Sequence, residues 1–569
     1  MTMRWGPEPG AGGQTTFRLW APDRDAVTLE IDGAAALPME RGEGGWFAVA
    51  APAPAGTRYR FRLSDDLAVP DPASRAQDGG VNGWSVVVDP AGYRWRSDDW
   101  AGRPWEAMVI EEVHVGLLGG FAGVAARLPA LVDLGITAIE LMPVNAFGGT
   151  RNWGYDGVLP YAPAESYGTP DELRALVDRA HELGISVFLD VVYNHFGPDG
   201  NYLGEYAKGF FHADVKTPWG GAVAVDEEPA RRFFIDNALM WLEDYRIDGL
   251  RFDAVHAIAN NGFLDAMAAE IRERVTRPVH LVLENESNDA DRLAAGKFDA
   301  QWNDDFHNVL HVLLTGEDDA YYADFAERPA ERLARCLSEG FIYQGEGSPN
   351  HDGKPRGTPS AHLPPTRFVS FLQNHDQIGN RALGERLTLL AEPAKLRAAT
   401  LLLLLSPQVP LLFMGDTTGS ESPFLFFTDF HDELADAVRE GRRGEFAKFA
   451  AFADPAKREA IPDPNARATF DRSRAQEGPQ AAEWQALYRR LLAVRHERIV
   501  PHLAGATAIG AEAVGEAAVV ARWRLADGAT LTIALNLGDT AITVPASEPV
   551  AAVGTPGDAA SAAAWIDPA

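Results

Sequence analysis

Cysteine is almost missing from this chain: Cys336 is the one thiol among 569 residues. Its isolation excludes an internal disulfide framework and a multi-cysteine metal site, and marks Cys336 as a small buried residue. Positive charge is scarce as well. Lys and Arg number 51 against 81 Asp and Glu, a formal net charge of −30. Such a surface repels phosphate backbones and anionic membranes, so neither nucleic acid nor a membrane is an expected partner, and a neutral substrate suits it better. No apolar run is long enough for a membrane span. Residues 398–415 come nearest, and Ser406, Pro407, Gln408 and Pro410 break them into the end of a buried helix and a buried strand. The opening MTMRWGPEPG lacks the apolar core of a signal peptide, which makes the cytoplasm the expected location.

What is present is the composition of an ordinary globular protein, 46% hydrophobic and 23% charged, with length for several domains. Residues 1–100 alternate apolar and polar positions: Val27, Leu29 and Ile31 against Thr28, Glu30 and Asp32, then Tyr59, Phe61 and Leu63 against Arg58, Arg60 and Arg62. Period two with one polar face predicts an antiparallel, half-exposed sheet. Residues 101–497 change to short apolar runs separated by amphipathic helices, the signature of buried parallel strands. Strands are predicted over 109–115, 138–141, 185–192, 249–253, 281–284, 298–302, 368–372 and 409–414. Thr169 as N-cap, Pro170 at the first helical position, Glu172 closing a capping box and Gly184 beyond the end define the helix before the third strand. Eight strand and helix repeats predict an α/β fold, a (β/α)8 barrel with loop insertions. A doubly wound sheet is the alternative, but no Gly-rich fingerprint follows the first strand. Residues 498–569 return to β structure, with a hairpin of 519–525 and 530–537 around Ala526-Asp527-Gly528-Ala529, while the Ala-rich 559–564 reads as a loose terminus.

Carboxylates at the C-terminal ends of barrel strands face an active site. The third strand ends Asp190-Val191-Val192-Tyr193-Asn194-His195, the fourth Arg251-Phe252-Asp253, the fifth Leu283-Glu284-Asn285-Glu286 and the seventh Gln373-Asn374-His375-Asp376. A lone buried Asp beside an Arg is more often a structural ion pair than a nucleophile. Four such strand ends in one barrel are far more specific, and they point to glycoside hydrolysis. Arg251 and Asp253, two apart on a strand, share a face, so the guanidinium holds the carboxylate ionised as a nucleophile. Glu284 follows Leu281, Val282 and Leu283, an apolar setting in which a carboxyl keeps a proton for the leaving oxygen. Asp376 is a third carboxylate for sugar hydroxyls, and His195 and His375 are hydrogen-bond donors near the scissile bond. No H-E-x-x-H pattern occurs, and acetal cleavage needs no zinc; calcium near Asn194 is conceivable.

These four strand ends resemble the signature regions of the α-amylase superfamily, glycoside hydrolase family 13. A narrower resemblance, to those members that release trehalose, runs through Phe17 to Pro22 (FRLWAP), Gly154-Tyr155-Asp156, Thr217-Pro218-Trp219-Gly220, residues 233–241, Asp299-Ala300-Gln301-Trp302 and the QNHDQIGNRA of 373–382. The resemblance implies an N-terminal carbohydrate-module-like β-sandwich, the barrel and a C-terminal β domain. It also implies cleavage, with retention, of the α-1,4 bond joining a maltooligosaccharide to a terminal trehalose unit. No redox cofactor and no metal are implied, and the maltooligosyltrehalose substrate implies functional pairing with a maltooligosyltrehalose synthase.

Carried over by residue, Asp253 matches the nucleophile, Glu284 the general acid/base and Asp376 the transition-state stabiliser. Tyr155 matches a stacking platform in the cleaved subsite and Trp219 one on the trehalose side. Asp156, His195, Arg251, His256, His375 and Gln377 join them as substrate-binding residues. Two features complicate the match. Glu286 lies two residues from Glu284, on the same face if the strand continues, and competes for the role of acid. Asp416-Thr417-Thr418 stands where a Glu-Glu pair is expected after the eighth strand. The rival enzyme is a 1,4-α-glucan branching enzyme, which shares the module, barrel and carboxylate trio but transfers to a glucan rather than to water. A catalytically dead glycan-binding scaffold is disfavoured because all three carboxylates are retained.

Overall fold

Eight short apolar segments close into a parallel barrel in a computed structural model that describes residues 5–217, 220–258, 261–448, 452 and 454–569. Its strands are β1 (Ile110–Val113), β2 (Ala138–Leu141), β3 (Ser186–Val191), β4 (Gly249–Phe252), β5 (His280–Leu283), β6 (Ala300–Trp302), β7 (Phe368–Ser370) and β8 (Val409–Phe413), paired in chain order with β8 returning to β1. The predicted set is complete: β2 matches its predicted bounds, β5 is shifted by one residue, and the other six are shorter at one or both ends. Every strand residue is buried, as a parallel sheet covered by helices requires. Ile110, Phe188, Val282, Trp302, Val369 and Leu411 are among the side chains that pack together as a filled core, while Glu112, Glu140, Asp190 and Arg251 lie towards the C-terminal ends of their strands.

The connecting helices carry the signals read in the sequence. Helix α1 (Gly120–Leu134) ends at Gly135, whose φ of 96° is left-handed and turns the chain into β2. Helix α2 (Pro170–Glu182) starts with the Thr169–Glu172 capping box, with Glu172 N–H donating to Thr169 Oγ1 at 3.2 Å and Thr169 N–H to Glu172 Oε2 at 2.7 Å. Helix α3 (Asp304–Thr315) follows β6, the short α4 (His375–Gly379) follows β7, and α5 (Pro393–Leu405) delivers the chain to β8. Two antiparallel insertions stand over the rim: Asn145–Phe147 with Gly157–Pro163, and Phe211–Thr217 with Gly220–Val223.

Ahead of the barrel lie a four-stranded and a six-stranded antiparallel sheet. Thr28–Ile31 pairs with Arg58–Ser64, buries Leu29, Tyr59 and Phe61 on one face, and sets Glu30 against Arg60 and Arg62 on the other. Trp5 packs edge-on against Phe233 of the barrel at 4.9 Å, which fastens this region to the catalytic part. After the barrel comes a five-stranded antiparallel sheet. Its order corrects one expectation. The Ala-rich segment is not loose: Ser561–Asp567 is an inner strand between Thr530–Asn536 and Ala551–Val553. Ala562, Ala563 and Ala564 are buried and α5 packs on this strand, so the small side chains serve a close helix-to-sheet approach.

Candidate active site

The chain leaves β4 and β5 directly into a carboxylate at the C-terminal rim, and β3 and β7 into polar residues after two further positions. Asp253 follows β4, Glu284 follows β5, and Asn194 and His195 stand just past β3. His375 and Asp376 open α4, where Asn374 and Gln377 form a capping box; Asn374 N–H donates to Gln377 Oε1 at 2.9 Å. Gln377 therefore spends its carbonyl on orienting the turn that presents Asp376.

Arg251, wholly buried on β4, organises the centre. Nη1 lies 2.6 Å from Asp190 Oδ2 and 2.9 Å from Asp253 Oδ1, and Nη2 lies 2.8 Å from Glu284 Oε2. The Trp302 ring supports the guanidinium at 4.2 Å. Asn194 Nδ2 donates to the other oxygen of Asp253 at 2.7 Å, fixing the carboxylate plane. Ala254 adopts φ 40°, a left-handed turn for a non-glycine residue, and this aims its N–H at Glu284 Oε2, 2.7 Å away. The apolar setting expected around Glu284 is thus corrected: the side chains of β5 below it are apolar, but the carboxyl itself rises to a guanidinium and a backbone donor. Glu286 departs from the strand, is half exposed, and faces His256 at 3.6 Å and His351 at 3.3 Å.

Behind these lies a second group of titrating residues. Tyr155 donates its hydroxyl to Asp190 Oδ2 at 2.6 Å, and the Tyr155 hydroxyl oxygen is 2.9 Å from His375 Nε2; the Tyr155 and His375 rings stack at 5.1 Å. His375 Nδ1 lies 2.5 Å from Glu112 Oε1 on β1. Burial alone would lower the His375 pKa, but the Glu112 and Asp376 carboxylates overturn this and raise it to about 9. Burial lifts Asp190 to about 7, even with Arg251 in contact. Asp376 is also shifted upward, by burial and by Glu284, although His375 beside it pulls the other way. His195 is shifted downward by burial; Nε2 meets the Tyr155 carbonyl at 2.8 Å and Nδ1 faces Asn194 Oδ1. Asp156 accepts from Asn152 at 2.7 Å, and burial raises its pKa. Glu140 on β2 has no hydrogen-bond partner for either carboxyl oxygen among the described residues, and burial, then Glu112 and Asp190, push its pKa far up.

A nucleophile-sized carboxylate held by Arg251 and Asn194, a second carboxyl on the same guanidinium and a third on the next wall suit acid-assisted displacement at a sugar acetal. The chain matches the alpha-amylase catalytic-domain family over residues 75–237, and a domain family of unknown function over residues 506–565. It is 42% identical to malto-oligosyltrehalose trehalohydrolase of Deinococcus radiodurans, a match covering 87% of this chain and 83% of that one. It is 41% identical to the enzyme of the same name from Saccharolobus solfataricus, over 76% and 78%. The chain belongs to the malto-oligosyltrehalose trehalohydrolase family. A crystal structure from Salmonella typhimurium, provisionally described as an alpha amylase, superposes with a TM-score of 0.93 at 45% identity over the whole of both chains. A 1,4-alpha-glucan branching enzyme from Pseudoalteromonas atlantica matches at 30% identity but covers only 42% of this chain, so the rival reading is not favoured.

Set against the trehalohydrolase family, the structure brings together Asp253, Glu284, Asp376, Tyr155, Asp156, His195, Arg251 and His375. His256 stands further out with Glu286 and His351, and Trp219 lies outside the described residues. The departure at Asp416 has a structural use: its carboxylate accepts from Gln373 Nε2 at 2.7 Å and Phe413 N–H at 2.9 Å and faces Arg386 at 3.5 Å. It ties the ends of β7 and β8 together, with burial raising its pKa to about 6. Glu112 and Glu140 escaped the sequence reading. Their signal was there: Glu140 is a lone acid inside an apolar run, and Glu112 is one of two adjacent acids in a segment that otherwise reads as buried strand.

Proposed function

We propose that the protein is a retaining glycoside hydrolase that cleaves the α-1,4-glucosidic bond next to the terminal trehalose unit of maltooligosyltrehalose, releasing trehalose and a maltooligosaccharide. The observation that carries the reading is the shared guanidinium: Asp253 and Glu284 each contact Arg251 within 3 Å, at 2.9 and 2.8 Å. Two carboxyls on one side chain suit the short separation of retaining enzymes, about 5–5.5 Å, better than the wider gap that admits a water. Asp253 attacks the anomeric carbon and forms a glycosyl ester, while Glu284 gives its proton to the departing glycosidic oxygen. Glu284 then takes a proton from the water that opens the ester at the same carbon. Asp376 accepts from hydroxyls of the distorted ring; His375, which holds its proton at neutral pH, and His195 donate to hydroxyls beside it. Tyr155 and Asp156 line the cleaved subsite, with Trp219, His256 and Gln377 completing the substrate contacts. The step needs no cofactor.

Since the substrate carries an α,α-1,1 linkage at its end, a synthase that rearranges the reducing end of a maltooligosaccharide must supply it. We place the reaction in trehalose formation in the cytoplasm, with the barrel over residues 101–497 between β domains at 1–100 and 498–569. The deciding experiment incubates the protein with maltotriosyltrehalose and, separately, maltohexaose. Trehalose and maltotriose should be the products of the first, with far slower attack on the second and no new branch points on amylose. Asp253→Asn should fall below about 1/1,000 of wild-type turnover while unfolding at the same temperature. Equal rates on both sugars would remove the trehalose reading.

A further inference from the structure

Strand β6 separates the strand that carries Glu284 from the strand that leads to Asp376. As the chain leaves β6, Asn303 is fixed by its N–H on Val369 O at 2.8 Å and its side-chain amide on Gly340 O at 3.0 Å. Two aspartates then open α3. Asp305 turns into the protein, is fully buried, and accepts from Asn288 Nδ2 at 3.0 Å and Ile342 N–H at 2.7 Å, with Arg356 Nη2 at 3.3 Å. Asp304 differs in every respect. It is half-buried, no hydrogen-bond donor among the described residues reaches its carboxyl, and the charges that act on it most strongly are Glu284, then Asp376, with Arg356 opposing them. An acid in the first turn favours the helix dipole wherever it stands, and Asp305 already fills that role with one carboxyl oxygen held by Asn288 and Ile342 and the other facing Arg356. Carboxyls withdrawn from water usually find partners, and Asp304, unlike Glu140 within a strand, stands past the end of its strand where a ligand can reach it. One left open between the acid and the stabiliser, in a cleft built for hydroxyls, is poised for a hydroxyl.

We propose that Asp304 is a specificity-determining residue that hydrogen-bonds a hydroxyl of the first glucose of the leaving sugar, beside the oxygen that Glu284 protonates. The leaving side is indicated by the surrounding chain: Arg356 joins Asp305, the next residue, at 3.3 Å to the Glu286 carbonyl, two residues past Glu284, at 2.9 Å, and Glu284 is the charge that acts on Asp304 most strongly. Burial and the two flanking carboxylates shift the Asp304 pKa upward, and the two oxygens of its carboxyl match the paired hydroxyls of a pyranose.

The inference rests on the reading of Asp253 and Glu284 as the catalytic pair, and the test separates the two. kcat/KM is measured for maltotriosyltrehalose and for α-maltotriosyl fluoride, whose leaving group carries no sugar, with wild type, Asp304→Ala and Asp304→Asn. The Ala variant should lose about 30-fold on maltotriosyltrehalose, the size of one lost hydrogen bond to a carboxyl group, and less than about threefold on the fluoride. The Asn variant, which still donates and accepts, should recover to within about fivefold of wild type on both. Equal losses on the two substrates, or no loss on either, would overturn the proposal, and the Asn comparison decides if the Ala variant fails to fold. Should wild type leave trehalose unreleased, the trehalose reading fails, and maltohexaose against the fluoride still tests Asp304.

Discussion

Arg251 touches Glu284. Its Nη2 sits 2.8 Å from Glu284 Oε2 while its Nη1 holds Asp253 Oδ1 at 2.9 Å, so a single buried cation sets the distance between the two carboxyls that divide the reaction. A planar fork can hold that geometry because its nitrogens are rigidly spaced, and the face of Trp302 keeps the fork from tilting.

A lysine at position 251 keeps the charge but offers one point in place of a fork, so the carboxyls lose their fixed spacing. Arg251→Lys should therefore lower kcat about 100-fold, the cost of a misplacement near 1 Å, with a smaller change in KM. Arg251→Met leaves Asp190, Asp253 and Glu284 without their shared cation in a buried setting, and should cost about 3–5 kcal/mol of stability, read as a large drop in thermal midpoint. A lysine variant with near-normal kcat would mean that the bridge does not position the pair.

The choice between Glu284 and Glu286 is settled by leaving-group dependence. Removing a general acid costs about 10²–10⁴-fold where the leaving oxygen needs a proton, and little where fluoride departs unaided. Glu284→Gln should show that split between maltotriosyltrehalose and α-maltotriosyl fluoride. Glu286, half exposed and facing two histidines, should give less than a tenfold change on either when replaced by Gln. The reverse pattern would transfer the acid to Glu286.

Much of this was legible before any coordinates. Burial on both faces writes a parallel strand as a mainly apolar run, so the barrel strands could be placed, β6 only faintly because its three residues include Gln301, and the polar residues that end such runs marked rim positions. The Thr169–Glu172 cap was equally plain because its bonds are local. The residues that hold His375 and Asp190 from behind were harder to find. Glu112 meets His375 across 263 residues of chain, and spacing along the sequence carries nothing about a contact closed only when β8 returns to β1. The setting of Glu284 misled for a related reason: its apolar sequence neighbours describe the strand below it, whereas its carboxyl is surrounded by the turn after β4. The alanines of 561–567 lack a strand's usual bulky branched residues, so only the pressing of α5 against them explains why small side chains belong there.

The Glu112–His375 pair makes a prediction about pH. His375 has its folded pKa raised to about 9, whereas an unfolded histidine titrates near 6.5. The folded protein therefore binds this proton more tightly, and the stabilisation is fully present below about pH 6.5, declines through the window up to about pH 9 and is absent above it. Within the window the slope reaches about 1.4 kcal/mol per pH unit for one proton. Glu112→Gln removes the nearest carboxylate, so the variant should be markedly less stable than wild type at pH 6, and the gap in thermal midpoint should narrow steadily towards pH 9. Asp190 titrates near 7 in both proteins and largely cancels in the subtraction. A gap that stays constant across that range would mean that the imidazole holds no extra proton. The Tyr155 hydroxyl, 2.9 Å from His375 Nε2, would then have to be the donor of that hydrogen bond rather than the acceptor.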